Sequence, residues 1–110
     1  MARKKLDTLT EPMYYVLLSL STQARHGYGI MQYVGQLTQG RVNIGAGTLY
    51  ALLSRFEGDG LIHFSHEEDN RKYYKLSAEG RQALIDEFQR LRRQVADGKG
   101  ILETEKEEAP

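Results

Sequence analysis

RVNIGAGTLYALLSRFEGDGLI, residues 41–62, is the stretch whose reading decides the fold. Leu49, Leu52, Leu53 and Phe56 recur at i, i+3, i+4 and i+7, which puts these apolar side chains on one stripe of an α-helix. The opposite side carries Gly47, Thr48, Ala51, Ser54 and Arg55, small or hydrogen-bonding residues that let a helix approach another surface closely. A helix with one buried stripe and one small polar face is shaped to enter a groove. Gly58 and Gly60 stop it, and Leu61-Ile62 opens an extended run.

Upstream, Thr10 is placed to cap a first helix that has Glu11 and Pro12 in its first turn, where an acid suits the dipole and a proline loses no needed donor. Met13, Val16, Leu17 and Leu20 form its main stripe and Tyr14 and Leu18 a second, so more than one neighbour must cover it. Gln23 to His26 is a polar link closed by Gly27, after which Ile30, Tyr33, Val34 and Leu37 repeat the helical spacing before Gly40. The order helix, helix, helix, with the third presenting a small-residue face, predicts a helix-turn-helix.

Downstream, two β-favouring runs, 61–65 and 71–76, are joined by the polar segment 66–70, which predicts a hairpin with Lys72, Tyr73 and Lys75 toward its exposed side. The expected fold class is mainly α with a small β-hairpin: a winged helix-turn-helix plus a C-terminal dimerisation helix. Ser77 caps that last helix, in which Leu84, Phe88, Leu91 and Val95 make an a/d seam widened by Ile85. A three-helix core with a wing is already closed, so the seam is expected to meet another chain. Gly98 and Gly100 are expected to end or fray the helix, with Ile101-Leu102 adding one contact. The domain reading is a flexible basic arm over 1–9 (Arg3, Lys4, Lys5), a DNA-binding winged-helix domain over 10–76, the dimerisation helix over 77–102 and a disordered acidic tail over 103–110.

The 110 residues suit a single core. Without cysteine there is neither a disulfide framework nor a thiolate metal site. The longest apolar run, 13–18, is far short of a membrane helix, and no secretory leader opens the chain, so a cytoplasmic location is expected. Net charge is zero, but residues 1–76 hold nine Lys or Arg against seven Asp or Glu, and residues 77–110 six against eight. That mild asymmetry permits DNA binding by the first part.

The chemistry-bearing residues do not assemble into an enzyme. His63 and His66 invite a metal, but on a regular strand residues three apart face opposite ways, so no metal site is expected. Glu67-Glu68-Asp69 lacks the glycine and ligand spacing of a calcium loop. Ser65 beside His66 has neither an orienting third group nor a nucleophile-elbow sequence. Gly27-Tyr28-Gly29 follows no strand, so it shapes a turn rather than a dinucleotide site. No cofactor is expected.

Three blocks together resemble the PadR family of transcriptional regulators: Thr48-Leu49-Tyr50 with Arg55-Phe56-Glu57 and Gly60-Leu61-Ile62; His26-Gly27-Tyr28-Gly29-Ile30; and Arg71 to Ser77 leading to Glu79-Gly80. The similarity spans roughly residues 13–92 and is to the small members with one terminal helix. It implies a homodimeric, DNA-binding repressor that is released from its operator by a small aromatic or hydrophobic effector or another signal. The DNA-facing residues expected on this basis are Asn43, Gly47, Thr48, Tyr50 and Arg55 around the third helix, and Arg71 and Lys72 on the wing. Gly45 and Ala46 stand where the family often has a serine cap and a proline, which implies a looser helix start. Dimerisation falls to Leu84, Phe88, Leu91 and Val95. Some relatives stack planar ligands on a terminal-helix tryptophan; this chain has none, leaving Tyr14, Tyr15, Leu18 and Phe88 as candidate effector-pocket residues. The alternative is a winged-helix protein-interaction module without DNA binding, suggested by the zero net charge and the acidic wing tip.

Overall fold

The computed structural model describes residues 8–108; of the expected basic arm only Thr8 and Leu9 fall within them, and Arg3, Lys4 and Lys5 lie outside the described residues. The order is α1 (Glu11–Leu20), α2 (Gly27–Leu37), α3 (Ala46–Gly58), β1 (Ile62–Glu68), β2 (Arg71–Leu76) and α4 (Ala78–Glu108). Helices α1, α2 and α3 form the helix-turn-helix, the antiparallel hairpin β1-β2 is the wing, and α4 returns to pack on α1. Arg25 adds a single bridge to Tyr74, with Arg25 N–H donating to the Tyr74 carbonyl and Tyr74 N–H to that of Arg25, at 3.1 and 2.9 Å. That bridge ties the α1–α2 link to the root of the wing. No helix among the described residues is long and apolar enough to cross a membrane.

The caps follow the local chemistry. Thr10 accepts from Met13 N–H at the start of α1. Ser77 accepts from Gly80 N–H at 2.9 Å and donates to the Gly60 carbonyl at 2.6 Å, so one hydroxyl both starts α4 and fastens it to the end of α3. Helix α3 closes with Leu61 N–H on the Phe56 carbonyl and Gly60 N–H on that of Glu57, with Gly60 at φ +78°, the left-handed turn that glycine adopts without strain.

The core joins Val16, Leu17 and Leu20 of α1, Ile30 and Val34 of α2, Leu49, Leu53 and Phe56 of α3, Ile62 of β1 and Leu84 of α4. Leu52 lies at its edge. Helix α2 departs from the expected stripe, since Leu37 is exposed and Thr38 is buried instead. The Thr38 hydroxyl donates to the Val34 carbonyl at 2.8 Å and accepts from Val42 N–H at 3.0 Å, which draws Val42 and Ile44 of the following loop inward.

Two expectations about element ends are corrected. Strand β1 runs to Glu68 rather than Ser65, because Asp69 and Asn70, both at positive φ, make the whole turn. Helix α4 passes through Gly98 and Gly100 without interruption to Glu108, so it does not stop at residue 102 and the expected tail over 103–110 begins inside it. The Lys99–Glu103 pair, 3.6 Å apart, spans that region of helix.

Candidate nucleic-acid interface

Helix α3 buries Leu49, Leu53 and Phe56 and leaves Gly47, Thr48, Tyr50, Ala51, Ser54 and Arg55 exposed. Its N-cap is Gly45, which has no side chain to accept from the first turn, so the N–H groups of Ala46, Gly47 and Thr48 have neither helix carbonyls nor a side-chain cap. Thr48, Ala51 and Arg55 follow one another along one exposed line at helical spacing. Arg55 is held by Asp59 in an exposed pair at 3.7 Å. Asn43 lies in the loop before α3 and donates through Nδ2 to the Gly40 carbonyl at 2.8 Å, which braces that loop.

Tyr50 does not project freely. A methyl group added at Gly27 would lie 2.5 Å from the Tyr50 hydroxyl oxygen and 2.9 Å from Cζ, so the phenol rests on the bare start of α2. Glycine is needed there for the close approach. The Gly27→Ala variant should therefore keep its stability within about 1 kcal/mol, since an exposed phenol can swing away, while moving Tyr50 off the helix start. Thermal melting together with the Tyr50 ring resonances checks both halves.

Tyr50, Gly27 and Tyr28 border an open groove of about 470 Å³ whose far side is Asn70, Arg71 and Lys72 of the wing. Thus α3, the start of α2 and the tip end of the wing converge on one surface, and the expected DNA-facing residues Tyr50, Arg71 and Lys72 share it. The junction is made by His26, expected from the sequence only as the end of a polar link and the first residue of a family-like block. Its Nδ1 accepts from Gly29 N–H at 3.1 Å as the N-cap of α2, its Nε2 lies 3.1 Å from Arg71 Nη1, and its ring meets the Tyr73 ring edge-on at 5.0 Å. Tyr73 in turn stacks on His66 at 4.4 Å. Burial, and then the nearby Arg71 charge, hold the His26 pKa below its ordinary value of 6.5. The sequence signal was the N-cap position before Gly27-Tyr28-Gly29, since imidazole can cap as an acceptor.

The strand-alternation argument about His63 and His66 fails on a bulge at Ser65. His63 pairs with Lys75 and His66 with Tyr73, and these partners are two apart on β2, so both histidines share a face. Among the described residues no group of three metal donors results.

On α4 the expected seam divides. Leu84 is buried in the chain's own core, a correction to its assignment to a partner chain, whereas Phe88, Leu91 and Val95 are exposed. Glu87 is 4% exposed and takes a two-pronged ion pair from Arg90 that holds its carboxyl below the usual range against the opposing effect of burial. Tyr14, Tyr15 and Leu18 are half-buried on α1; Tyr14 and Tyr15 meet edge-on at 5.5 Å, and the Tyr15 hydroxyl accepts from Arg41 at 2.9 Å. Phe88 stands exposed on α4, with the Arg92 guanidinium 5.9 Å from its ring.

The model of the transcriptional regulator PadR-like family matches residues 16–86. The fold is similar to that of a PadR family transcription regulator from Clostridium difficile, with TM-score 0.67 and 27% identity over 82% of this chain and 96% of that one. A transcriptional regulator from Clostridium thermocellum gives TM-score 0.66 and 25% identity over 83% and 89%. Bacillus subtilis PadR in complex with operator DNA shares the fold at TM-score 0.64 and 23% identity, over 70% of this chain and 46% of that one. Comparison with curated protein sequences gives no match.

Proposed function

The chain belongs to the PadR-like family of transcriptional regulators, and from that premise we propose that it is a cytoplasmic repressor that binds operator DNA as a homodimer. The observation that carries the reading is the surface where Tyr50 of α3, resting on Gly27, meets Arg71 and Lys72 beside the wing tip. Exposed N–H groups and Thr48 at a helix start suit a phosphate or a base edge in the major groove, and basic wing residues suit the flanking backbone. Asn43 acts by shaping the approach to α3, and Arg55 reaches DNA only by leaving Asp59. The operator complex of the Bacillus subtilis protein supports the same use of a like fold.

Dimerisation is supported by α4, which carries Phe88, Leu91, Val95, Ile101 and Leu102 exposed along a helix far longer than the core beneath it. The effector, a small aromatic or hydrophobic molecule, is assigned to the α1–α4 surface near Tyr14, Tyr15, Leu18 and Phe88, where it would shift the relation between the two winged helices.

One observation favours a protein-binding module instead. Across the hairpin Glu68 faces Arg71 and Glu67 faces Lys72, so both cations expected to meet DNA have an acid opposite them. The two readings separate in a mobility shift with duplex from the region upstream of the chain's own gene. A repressor binds it specifically, and changing Arg71 and Lys72 together to alanine weakens all duplexes alike and lowers the salt slope by roughly one per lost contact. An unchanged slope removes the wing from the interface; no shift at all favours the module.

A further inference from the structure

The His26 ring has one acceptor lone pair when neutral, yet two donors face it: Gly29 N–H at Nδ1 and the Arg71 guanidinium at Nε2. With the proton on Nε2 the ring caps α2; with the proton on Nδ1 it accepts from Arg71. Either way the neutral ring retains its edge-on seat against Tyr73 and adds no charge beside Arg71. The imidazolium has no lone pair, so it serves neither donor and brings a second cation within 3.1 Å of the guanidinium. The hairpin meets the start of α2 through these side chains, below the Arg25–Tyr74 bridge that fixes only the wing root.

We propose that His26 is a positioning residue that docks the wing on α2 only while its ring is neutral, so that acidification frees Arg71 and weakens the grip of the wing on DNA. The DNA half of this inference rests on the function proposed above; the docking half does not.

The groups around the ring set the sign. On β2 they are Arg71 and Tyr73, with Lys72 and Tyr74 along the same groove; behind Tyr73, on β1, is His66, with Ser65 at 2.9 Å and Glu68 at 3.6 Å; on α2 is Tyr28; and across Gly27, on α3, is Tyr50. The docked ring titrates below 6.5, first through burial and then through Arg71, and a released ring returns to that ordinary value. Docking therefore weakens as pH falls below 6.5 and weakens no further below the lowered docked value. Simple charge counting predicts the opposite, because a histidine gaining a proton beside DNA tightens binding.

The test compares the wild type with His26→Asn, whose amide oxygen keeps an N-cap acceptor but does not titrate. Between pH of about 7.5 and about 5.5 the wild type should lose on the order of fivefold or more of its affinity for upstream duplex, and His26→Asn should not. A wild type that binds as well or better in acid overturns the proposal, as does an equal loss in His26→Asn. Independently of DNA, the Tyr73 ring resonances should move with pH more in the wild type than in His26→Asn, the remainder reporting His66 on the other face of Tyr73. If the two proteins move alike, no wing docking by His26 exists to release. If they differ but no duplex binds at any pH, the docking stands and the DNA-binding function falls.

Discussion

Replacing Gly80 by alanine should lower the stability of the fold by about 3 kcal/mol. The added methyl would overlap the Leu61 carbonyl oxygen and lie 2.9 Å from both the Leu61 carbonyl carbon and Leu76 Cδ1. The Leu76 side chain can turn aside, but Leu61 is backbone, between α3 and β1, and cannot rotate away. The same carbonyl accepts from Ser77 N–H at 3.0 Å, so moving it also disturbs the start of α4. Helix propensity pushes the other way, since alanine is favoured over glycine by about 1 kcal/mol in a helix interior, but this is smaller than the clash. Gly98 and Gly100 supply the control: they lie in the same helix with nothing within 4 Å of an added methyl, so Gly98→Ala and Gly100→Ala should be neutral or stabilising. Urea unfolding of the three variants decides the matter. Equal effects at all three positions would mean that α4 does not cross Leu61 as closely as described.

These glycines also show where the sequence was legible. Apolar periodicity located Leu49, Leu53 and Phe56 of α3 and Val16 and Leu17 of α1 in the core, because burial of a stripe is what produces that periodicity. Thr10 and Ser77 were visible as caps because their chemistry is local. The exchange of Leu37 for Thr38 was hidden, since an apolar count does not register a hydroxyl that satisfies itself on Val34 and Val42. Strand alternation failed at Ser65 because one bulged residue moves every later side chain to the other face. Gly98 and Gly100 looked like stops because an exposed helix tolerates glycine at a cost too small to end it. His26 was passed over as a site residue because its partners, Arg71 and Tyr73, are 45 and 47 positions away in the chain and reach it only through the wing.

The last expected result concerns α4. Changing Phe88 and Leu91 together to alanine should leave a folded monomer, because in the single chain these side chains are already 45% and 36% exposed and their loss opens little of the core. Leu84→Ala should behave differently: at 5% exposure it belongs to the core, and its removal should cost about 2–5 kcal/mol of stability. The contrast separates a surface meant for a second chain from one that closes the first. If the two recognition helices of a dimer occupy neighbouring half-sites, uncoupling them turns one bivalent contact into two independent ones, and operator affinity should fall by about a hundredfold or more. Sedimentation and circular dichroism read the first half of this expectation, and a mobility shift reads the second. A wild type that sediments as a monomer at micromolar concentration, or a double variant that stays dimeric, would show that the exposed row on α4 serves some other contact, and the half-site argument would go with it.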